Sequence, residues 1–235
     1  DVHVRILCSR DVEDQPEACL DAIDAARAVF VFRGADAAWN LLDDRLKLAG
    51  ANVPVVCVAS DPGAWALSSV EPQTAERAYR YLSYGGAENA ARLMQFMLAL
   101  AHGQVVQTVA APQLMPWEGL WHPEATEPFF ESVSAYSAWY NDYAQRKDLR
   151  GKSVGLLFGR HYWVNSMTQA ETALVQALEA RGLRVLSAFS NSLQDAALGN
   201  KGGVRWAREV ILDASHQCRV QVLITLLQKK KKKKG

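Results

Sequence analysis

The sequence has few cysteines, and they form no pattern typical of a metal site or a disulfide framework. Cys8, Cys19, Cys57 and Cys218 are widely spaced, with no C-x-x-C pair among them. Three of them lie in apolar or helical patterns, so we expect reduced thiols buried in the core. His216 and Cys218 are too isolated to form half of a zinc site. The sequence therefore gives no support for a structural metal or for disulfides.

Long apolar runs and nucleotide fingerprints are also missing. The densest apolar stretch, residues 93–101, is interrupted by Gln95 and is far shorter than the roughly 18 residues that cross a bilayer. With no signal-peptide pattern either, we expect a soluble, cytoplasmic protein. No G-x-G-x-x-G is present, which argues against a nicotinamide cofactor. Gly151-Lys152-Ser153 is not a P-loop, because position 146 is Arg146 and the triplet precedes a strand, so we do not expect this chain to bind ATP.

The sequence lacks a strong excess of either charge outside its C-terminal end. The 235 residues carry a formal charge of +1, but six positive charges come from the lysine run 229–234, and the rest of the chain has a net charge of −5. A basic run of this kind can bind nucleic acid or acidic membranes. A homolysine run that ends in Gly235 is more typical of an artificial end, and we interpret residues 229–235 in that way. We expect no nucleic-acid and no membrane partner.

Apolar strands that alternate with amphipathic helices predict an α/β protein of two domains. In residues 1–104, strands are predicted at 2–8, 28–32 and 53–58, with helices between them, which is typical of a parallel sheet covered on both faces. Residues 152–228 repeat the pattern with strands at 153–158, 183–189 and 220–227, a loop at 159–165 and a helix at 168–181. We therefore predict two doubly wound, flavodoxin-like parallel-sheet domains, the second of them incomplete. The chain begins at Asp1 without Met, and we expect it to be an excised piece.

A connector rich in aromatic residues separates the two predicted domains. Residues 105–151 begin with two prolines and then carry eight aromatic residues, with a helix predicted from Phe129 to Tyr143. Phe129, Val133, Tyr136 and Tyr140 share one face of that helix. Such a stripe is most often core, but it could equally form the wall of a pocket for a flat macrocycle, because aromatic rings stack on π-faces and exclude water.

Three places in the sequence carry candidate ligand-binding residues. Gly85 and Gly86 precede a buried helix, and the free amides of its first turn could hold an anion, although the spacing favours an ordinary turn with Glu88 stabilising the helix dipole. Trp121 and His122 stand before a proline that would fix the orientation of the histidine ring.

The third place follows a predicted strand. Arg160, His161 and Tyr162 come where parallel sheets bind ligands. There Arg160 could pair with a carboxylate and His161 could bind a metal or move a proton. A solvated loop is the alternative interpretation, and no catalytic residue is assigned.

Several of these segments together resemble one known family. They are Tyr81-x-x-x-Gly85-Gly86-x-Glu88-Asn89, the connector Gly119-Leu120-Trp121-His122-Pro123 with its later aromatic residues, and Leu178-Glu179-Ala180-Arg181-Gly182-Leu183. They are similar to segments of the large, tetrapyrrole-binding subunit of aerobic cobaltochelatase, which is related to the H subunit of magnesium chelatase. The resemblance covers residues 81–195 clearly and 2–58 loosely, whereas 199–228 match poorly.

The resemblance implies a function that the sequence pattern alone does not. Such enzymes insert a divalent metal, cobalt or magnesium, into a tetrapyrrole and depend on ATP that AAA+ partner subunits hydrolyse. This chain would then be an amino-terminal fragment that contributes to macrocycle binding and assembly, inactive alone. The alternative is a non-catalytic, truncated α/β scaffold or a small-molecule binding module. Metal and tetrapyrrole are substrates here, and no resident cofactor is expected.

Overall fold

The structure, a computed structural model, describes residues 2–34, 36–59, 62–191, 194 and 199–227. The chain divides into two compact units, Asp1–Leu114 and Met115–Gly235. Each unit combines helices with parallel strands, which confirms the predicted α/β class. The boundary falls inside the segment 105–151, and most of that segment belongs to the second unit. The lysine run 229–235 lies outside the described residues.

The first unit is a two-stranded parallel sheet between two layers of helices. Its strands are β1 (Val29–Phe32) and β2 (Val55–Val58), paired from Val29 opposite Val55 onward. Its α-helices are α1 (Ser9–Asp14), α2 (Pro16–Asp24), α3 (Asp43–Ala49), α4 (Pro72–Tyr84) and α5 (Ala87–Ala101). Shorter 3₁₀ helices cover Ala37–Leu42, Pro62–Leu67 and Val106–Thr108.

Alternating side chains of β2 explain why both faces of this sheet are covered. Val55 and Cys57 pack with α1, α2 and α3, whereas Val56 and Val58 pack with α4 and α5. All four residues are fully buried. Because successive strand side chains point to opposite faces, an apolar run of four residues needs a helical layer on each side. Burial also raises the pKa of the Cys57 thiol to about 11, so this cysteine is an inert core residue.

The strand predicted at residues 2–8 is wrong. Residues 2–7 belong to no helix or strand, and the side chain of Ile6 is 87% exposed. The Cys8 amide instead donates a hydrogen bond to Asp11 Oδ2 (2.6 Å) at the start of α1. The apolar alternation of this segment is real, but a strand also needs a neighbouring strand, and neither β1 nor β2 pairs with it. Cys8 is therefore exposed rather than in the core, as is Cys218.

The second unit contains a four-stranded sheet of mixed direction. Its elements, in chain order, are β3 (Glu118–Leu120), α6 (Val133–Arg146), β4 (Ser153–Gly159), α7 (Arg160–Val164), α8 (Gln169–Glu179), β5 (Arg184–Ser190), α9 (Gly203–Ile211) and β6 (Val222–Thr225). The strand order is β3-β5-β4-β6, with β3 antiparallel to β5 and the other pairs parallel. Helix α7 replaces the loop predicted at 159–165, and β3 and α9 were not predicted.

The strand order of the second sheet contains one reversal of the direction of winding. The chain passes from β4 to β5 on one side of it and later reaches β6 on the other side, so the direction of winding reverses at β4. Ligands of open α/β sheets bind outside the carboxyl ends of the strands at such a reversal. The strands on either side of this reversal are β4 and β6, whose carboxyl ends are Gly159 and Thr225. The site residues described next lie around this edge and around the aromatic helix α6.

Candidate functional site

A buried hydrogen-bond network joins His122 to Glu179, 57 residues apart in the chain. His122 Nε2 lies 3.0 Å from Glu179 Oε1, and the same oxygen accepts a hydrogen bond from the Tyr140 hydroxyl (2.7 Å). The Tyr143 hydroxyl donates to Glu179 Oε2 (2.8 Å). The imidazole is 1% exposed and is enclosed by the rings of Trp139, Tyr140 and Tyr143 at centroid distances of 5.0, 5.6 and 4.8 Å. Two of the segments that carried the family resemblance therefore meet in one cluster.

The hydrogen bonds of His122 define its tautomer. The Glu124 amide donates to Nδ1 (3.2 Å), so Nδ1 carries no proton in this arrangement. The proton of the neutral ring is then on Nε2, which donates to the Glu179 carboxylate. Both ring nitrogens have partners inside the protein. In this conformation His122 fixes the connector to α8 and offers no nitrogen to a metal or a macrocycle.

The donors around Glu179 keep its carboxylate ionised. Burial raises the pKa of this carboxyl group, but the hydrogen bonds from His122, Tyr140 and Tyr143 together outweigh burial, and the net pKa is lowered. The same carboxylate adds to the effect of burial in raising the pKa of the Tyr140 and Tyr143 hydroxyls. These hydroxyls therefore stay protonated and act as donors. Tyr140 also accepts a hydrogen bond from the Val185 amide (2.8 Å), which connects the network to β5.

Arg160 is buried at the carboxyl end of β4 and holds the start of the second unit in place. Its Nε donates to the carbonyl of Pro116 (2.6 Å) and its Nη2 to the carbonyl of Met115 (3.1 Å). The guanidinium carbon lies 4.3 Å from the centroid of the Trp117 ring, a cation–π contact. Burial lowers the pKa of Arg160 to about 10, against an opposing influence of Glu118, so the group is charged at neutral pH. Its role here is to position residues 115–117.

His161 and Tyr162 lie in α7, directly beyond β4. His161 is exposed, and its ring centroid lies 4.0 Å from that of Tyr162. The imidazole folds over Gly159, where a Cβ atom would come within 2.5 Å of the ring. Glycine at 159 therefore allows His161 to lie against the end of the strand. Trp121 is in a different environment, since its ring packs edge-on against Phe158 in the core.

An open cavity lies beside the carboxyl end of β5. Its volume is about 250 Å³, and its lining combines aromatic, apolar and charged residues: Pro116, Trp117, Glu118, Phe129, Glu131, Lys201 and Trp206. Glu118 Oε1 accepts hydrogen bonds from the amides of Lys201 (2.8 Å) and Gly202 (3.2 Å) at the start of α9. The Lys201 ammonium lies 5.1 Å from the centroid of the Trp206 ring and pairs with Glu209. Of these residues, the sequence singled out Pro116, Trp117 and Phe129, as a proline and two aromatic residues of the connector.

Gly85 and Gly86 form the turn between α4 and α5. Both have positive φ angles, 72° and 89°, which glycine adopts without strain. The buried side chain of Asn89 donates to the carbonyls of Gly85 (2.8 Å) and Gln113 (2.7 Å) and accepts from the Gln113 amide (2.8 Å). Tyr81 likewise donates to the carbonyl of Ala110 (2.5 Å). The Tyr-Gly-Gly-Asn segment thus ties the helix pair to residues 110–113, and anion binding by Gly85 and Gly86 stays a prediction.

The described part of the chain contains neither a cluster of metal ligands nor a membrane-spanning helix. No group of three or more His, Cys, Asp or Glu side chains there could hold a metal ion. Among these same residues, no helix is long and apolar enough to cross a membrane.

The geometry defines an α/β protein with an open cavity beside the carboxyl end of β5 in its second unit. A family model described as CobN/Magnesium Chelatase matches residues 79–235, which include the Tyr81–Asn89 segment, His122, Glu179 and the cavity. The chain belongs to the CobN/magnesium chelatase family, as the resemblance predicted.

Two curated relatives named CobN agree with this assignment, and one solved structure is also similar. The aerobic cobaltochelatase subunit CobN of a Sinorhizobium species is 31% identical over 140 residues, which are 58% of this chain and 10% of that protein. CobN of Pseudomonas aeruginosa is 31% identical over 139 residues, with the same coverage. The solved catalytic subunit of cobaltochelatase from Mycobacterium tuberculosis is similar with a TM-score of 0.49 and 20% identity, over 83% of this chain and 15% of that one. The matches thus span about a tenth of the length of the curated relatives.

Proposed function

We propose that this chain is part of the large subunit of a cobaltochelatase, which inserts a divalent metal into a tetrapyrrole in cobalamin biosynthesis. The observation that carries the proposal is the match of the family model to residues 79–235. The family couples insertion to ATP hydrolysis by AAA+ partner subunits in the cytoplasm, and we propose the same partners and compartment here.

Within that enzyme, we propose that this chain supplies one edge of the macrocycle site rather than the reacting centre. Metal insertion removes two pyrrole protons and strips water from the metal, so it needs a base, a metal ligand and an apolar slot. The cavity beside Trp117 and Trp206 supplies apolar aromatic surface, but at about 250 Å³ it is smaller than the roughly 300–1,000 Å³ of pockets that enclose whole ligands. Both nitrogens of His122 are already used. The base and the metal ligand would therefore come from other parts of the longer enzyme.

Titration of the purified chain with a carboxylated porphyrin or a corrinoid precursor tests this proposal. Five of the seven tryptophans lie in the second unit, and an absorbing macrocycle that binds there should quench their fluorescence saturably at micromolar concentrations. Trp117→Phe, at the cavity, should weaken the quenching more than Trp65→Phe in the first unit. Absence of quenching and of any spectral shift of the macrocycle would contradict macrocycle binding.

A second candidate is a non-catalytic scaffold, which the internal hydrogen bonds of His122 and Arg160 favour. Metal insertion, assayed with and without ATP and partner subunits, separates the two when it is combined with the macrocycle titration. We expect no turnover by the chain alone, and turnover in that sample would eliminate the scaffold. Macrocycle binding without turnover would support the proposed role as one edge of the site.

A further inference from the structure

We infer that the amino end of the second sheet is a docking surface for an acidic segment of another protein. Helices α6 and α8 end there, and strands β4 and β5 begin there. Six basic residues occupy these ends and the turns between them, and we call them the basic edge: Arg146, Lys147, Arg150, Lys152, Arg181 and Arg184. All of them are exposed except Arg184, which is partly buried.

Main-chain hydrogen bonds hold the two turns of the basic edge side by side. The Gly151 amide donates to the Gly182 carbonyl (2.8 Å), and the Arg184 amide donates to the Lys152 carbonyl (3.1 Å). The turns pack so closely that a Cβ atom at Gly151 would lie 2.6 Å from the Gly182 oxygen. The cations of the two turns therefore form one continuous surface rather than two separate groups.

Carboxylates of the same segments do not neutralise the basic edge. Arg150 pairs with Asp148 (2.5 Å), and among the described residues no carboxylate lies within ion-pair distance of the other five cations. By contrast, eight Lys and Arg side chains elsewhere in the chain do pair with a carboxylate. Glu179, at the end of α8, is largely buried and already accepts hydrogen bonds from His122 and two tyrosines. The edge therefore keeps an excess of positive charge in a chain whose net charge without the lysine run is −5.

Helix ends explain only half of the basic edge. Arg146 is the last residue of α6, and Lys147 and Arg181 follow the ends of α6 and α8 by one and two residues. A cation at these places interacts favourably with the negative end of the helix dipole, which is a structural reason for its presence. The other three cations lie beyond the last turns, in the turn before β4 and at the start of β5, where the dipole effect has fallen off.

Neutral groups orient several of these cations without removing their charge. Arg184 Nη2 donates to Asn141 Oδ1 (2.6 Å), and its guanidinium carbon lies 5.6 Å from the centroid of the Tyr140 ring. Arg181 Nη1 donates to the carbonyl of Ala177 (2.7 Å). Side chains that are already held in place lose less conformational entropy when a partner binds, so the basic edge is prepared for an anionic partner.

The surroundings of the basic edge favour carboxylates of a protein over a nucleic acid. Single-stranded nucleic acids bind basic grooves by stacking their bases on aromatic rings. Tyr140 and Tyr143, the rings next to the basic edge, are only 4% and 6% exposed, so they offer no face to a base. A guanidinium group binds a carboxylate through two parallel hydrogen bonds, and complementary charges across an interface speed association and set orientation. An acidic protein segment therefore fits this surface.

The experiment is a titration of the ¹⁵N-labelled chain with a peptide of ten glutamates, followed at the backbone amides of Gly151 and Gly182. These two amides report on the basic edge separately from the lysine run 229–234, which binds the same peptide through its own charges. We expect both amides to shift saturably at low ionic strength. The shifts should disappear at about 1 M salt, where the Debye length is only about 3 Å.

Lys152→Gln combined with Arg181→Gln removes two charges from the basic edge. This double variant should weaken the peptide affinity measured at Gly151 by about three- to tenfold, the effect of two exposed ion pairs. Arg27→Gln combined with Arg208→Gln is the matched control, because it removes the same charge from exposed positions outside the edge. The control should change the affinity by less than about twofold. All four side chains are exposed, so we expect both double variants to fold.

Three results would overturn the inference. They are the absence of shifts at Gly151 and Gly182, equal weakening by the two double variants, and tighter binding at these amides of a ten-nucleotide single strand of DNA, which would assign the edge to nucleic acid. The inference does not rest on the proposed function, because the cavity lies at the other end of β5. Peptide binding without macrocycle binding would contradict the proposed function and keep the docking surface, and the reverse would do the opposite.

Discussion

Glu179 is the residue that joins three separate parts of the second unit. Its two oxygens accept hydrogen bonds from the connector through His122 and from α6 through Tyr140 and Tyr143. Its side chain is only 9% exposed, so its charge is largely removed from water. A buried carboxylate is tolerated only where donors satisfy it, and the loss of one partner costs more than a surface ion pair would. The cluster is therefore sensitive to small changes at this position.

Replacing Glu179 with Gln should destabilise the second unit by about 1–3 kcal/mol. A neutral amide oxygen accepts hydrogen bonds more weakly than a carboxylate, and the amide NH₂ group would face one of the three donors instead of accepting from it. The change should also flatten the dependence of stability on pH. The pKa of Glu179 is lowered in the folded state, so its contribution is complete above the unfolded value of about 4.3 and is lost as the pH falls through the lower folded value. Urea unfolding at pH 7 and at steps below pH 5 measures both effects.

Glu127→Gln is the matched control for this experiment, because Glu127 is an exposed glutamate of the same unit. It should change the free energy of unfolding by less than about 0.5 kcal/mol and leave the pH dependence as in the parent. If Glu179→Gln has the same acid slope as the parent, the hydrogen bonds do not hold the carboxylate in its ionised form and the network is not the source of the stability.

Continuous apolar runs predicted the longer strands of both sheets, whereas the short or unusual elements were missed. β4 and β5 begin and end within one residue of their predicted limits, because each is buried on both faces and is largely apolar, although β5 also contains the buried Ser187. β3 has only three residues and lies among prolines and aromatics, so it shows no strand period. The segment 2–8 shows the opposite failure, since it alternates well but has no partner strand.

The exposed edge strand β6 should allow the parent chain to self-associate. Val222 is 53% exposed on this edge of the sheet, and lysine on an edge strand disfavours pairing with another chain. Val222→Lys should therefore reduce self-association at high concentration, measured by sedimentation equilibrium, while the free energy of unfolding changes by less than about 0.5 kcal/mol.

Val204→Lys is the matched control for β6, because Val204 is 75% exposed on α9 and lies on no sheet edge. It should alter neither stability nor association. Equal loss of association in both variants would show that added charge alone is responsible. A loss of more than about 1 kcal/mol in Val222→Lys would show that another part of the chain covers β6.

The sequence pointed to His122 and Arg160 as notable residues, but it did not reveal which residues they contact in the folded chain. His122 and Arg160 were selected as ligand candidates, and both are buried polar residues of the second unit. Their partners are a carboxylate 57 residues away and a main-chain carbonyl 44 residues away, and a pattern of local spacing contains no information about such contacts. Trp206 lies in residues 199–228, where the resemblance was poor, and its position beside the cavity is visible only once the fold is known.

The two units have separate cores, and this separation predicts how damage spreads through the chain. The Glu179 cluster packs against β5 and α6, whereas the core of β2, α4 and α5 lies wholly within the first unit. In hydrogen exchange followed by mass spectrometry, Glu179→Gln should reduce protection in peptides from β4, β5 and α6 and leave those from β2, α4 and α5 unchanged. Asn89→Asp, which places a charge at the Gly85–Gln113 connection, should give the reverse pattern. Loss of protection across both units in either variant would mean that they unfold as one cooperative body, and the division after Leu114 would then have no thermodynamic meaning.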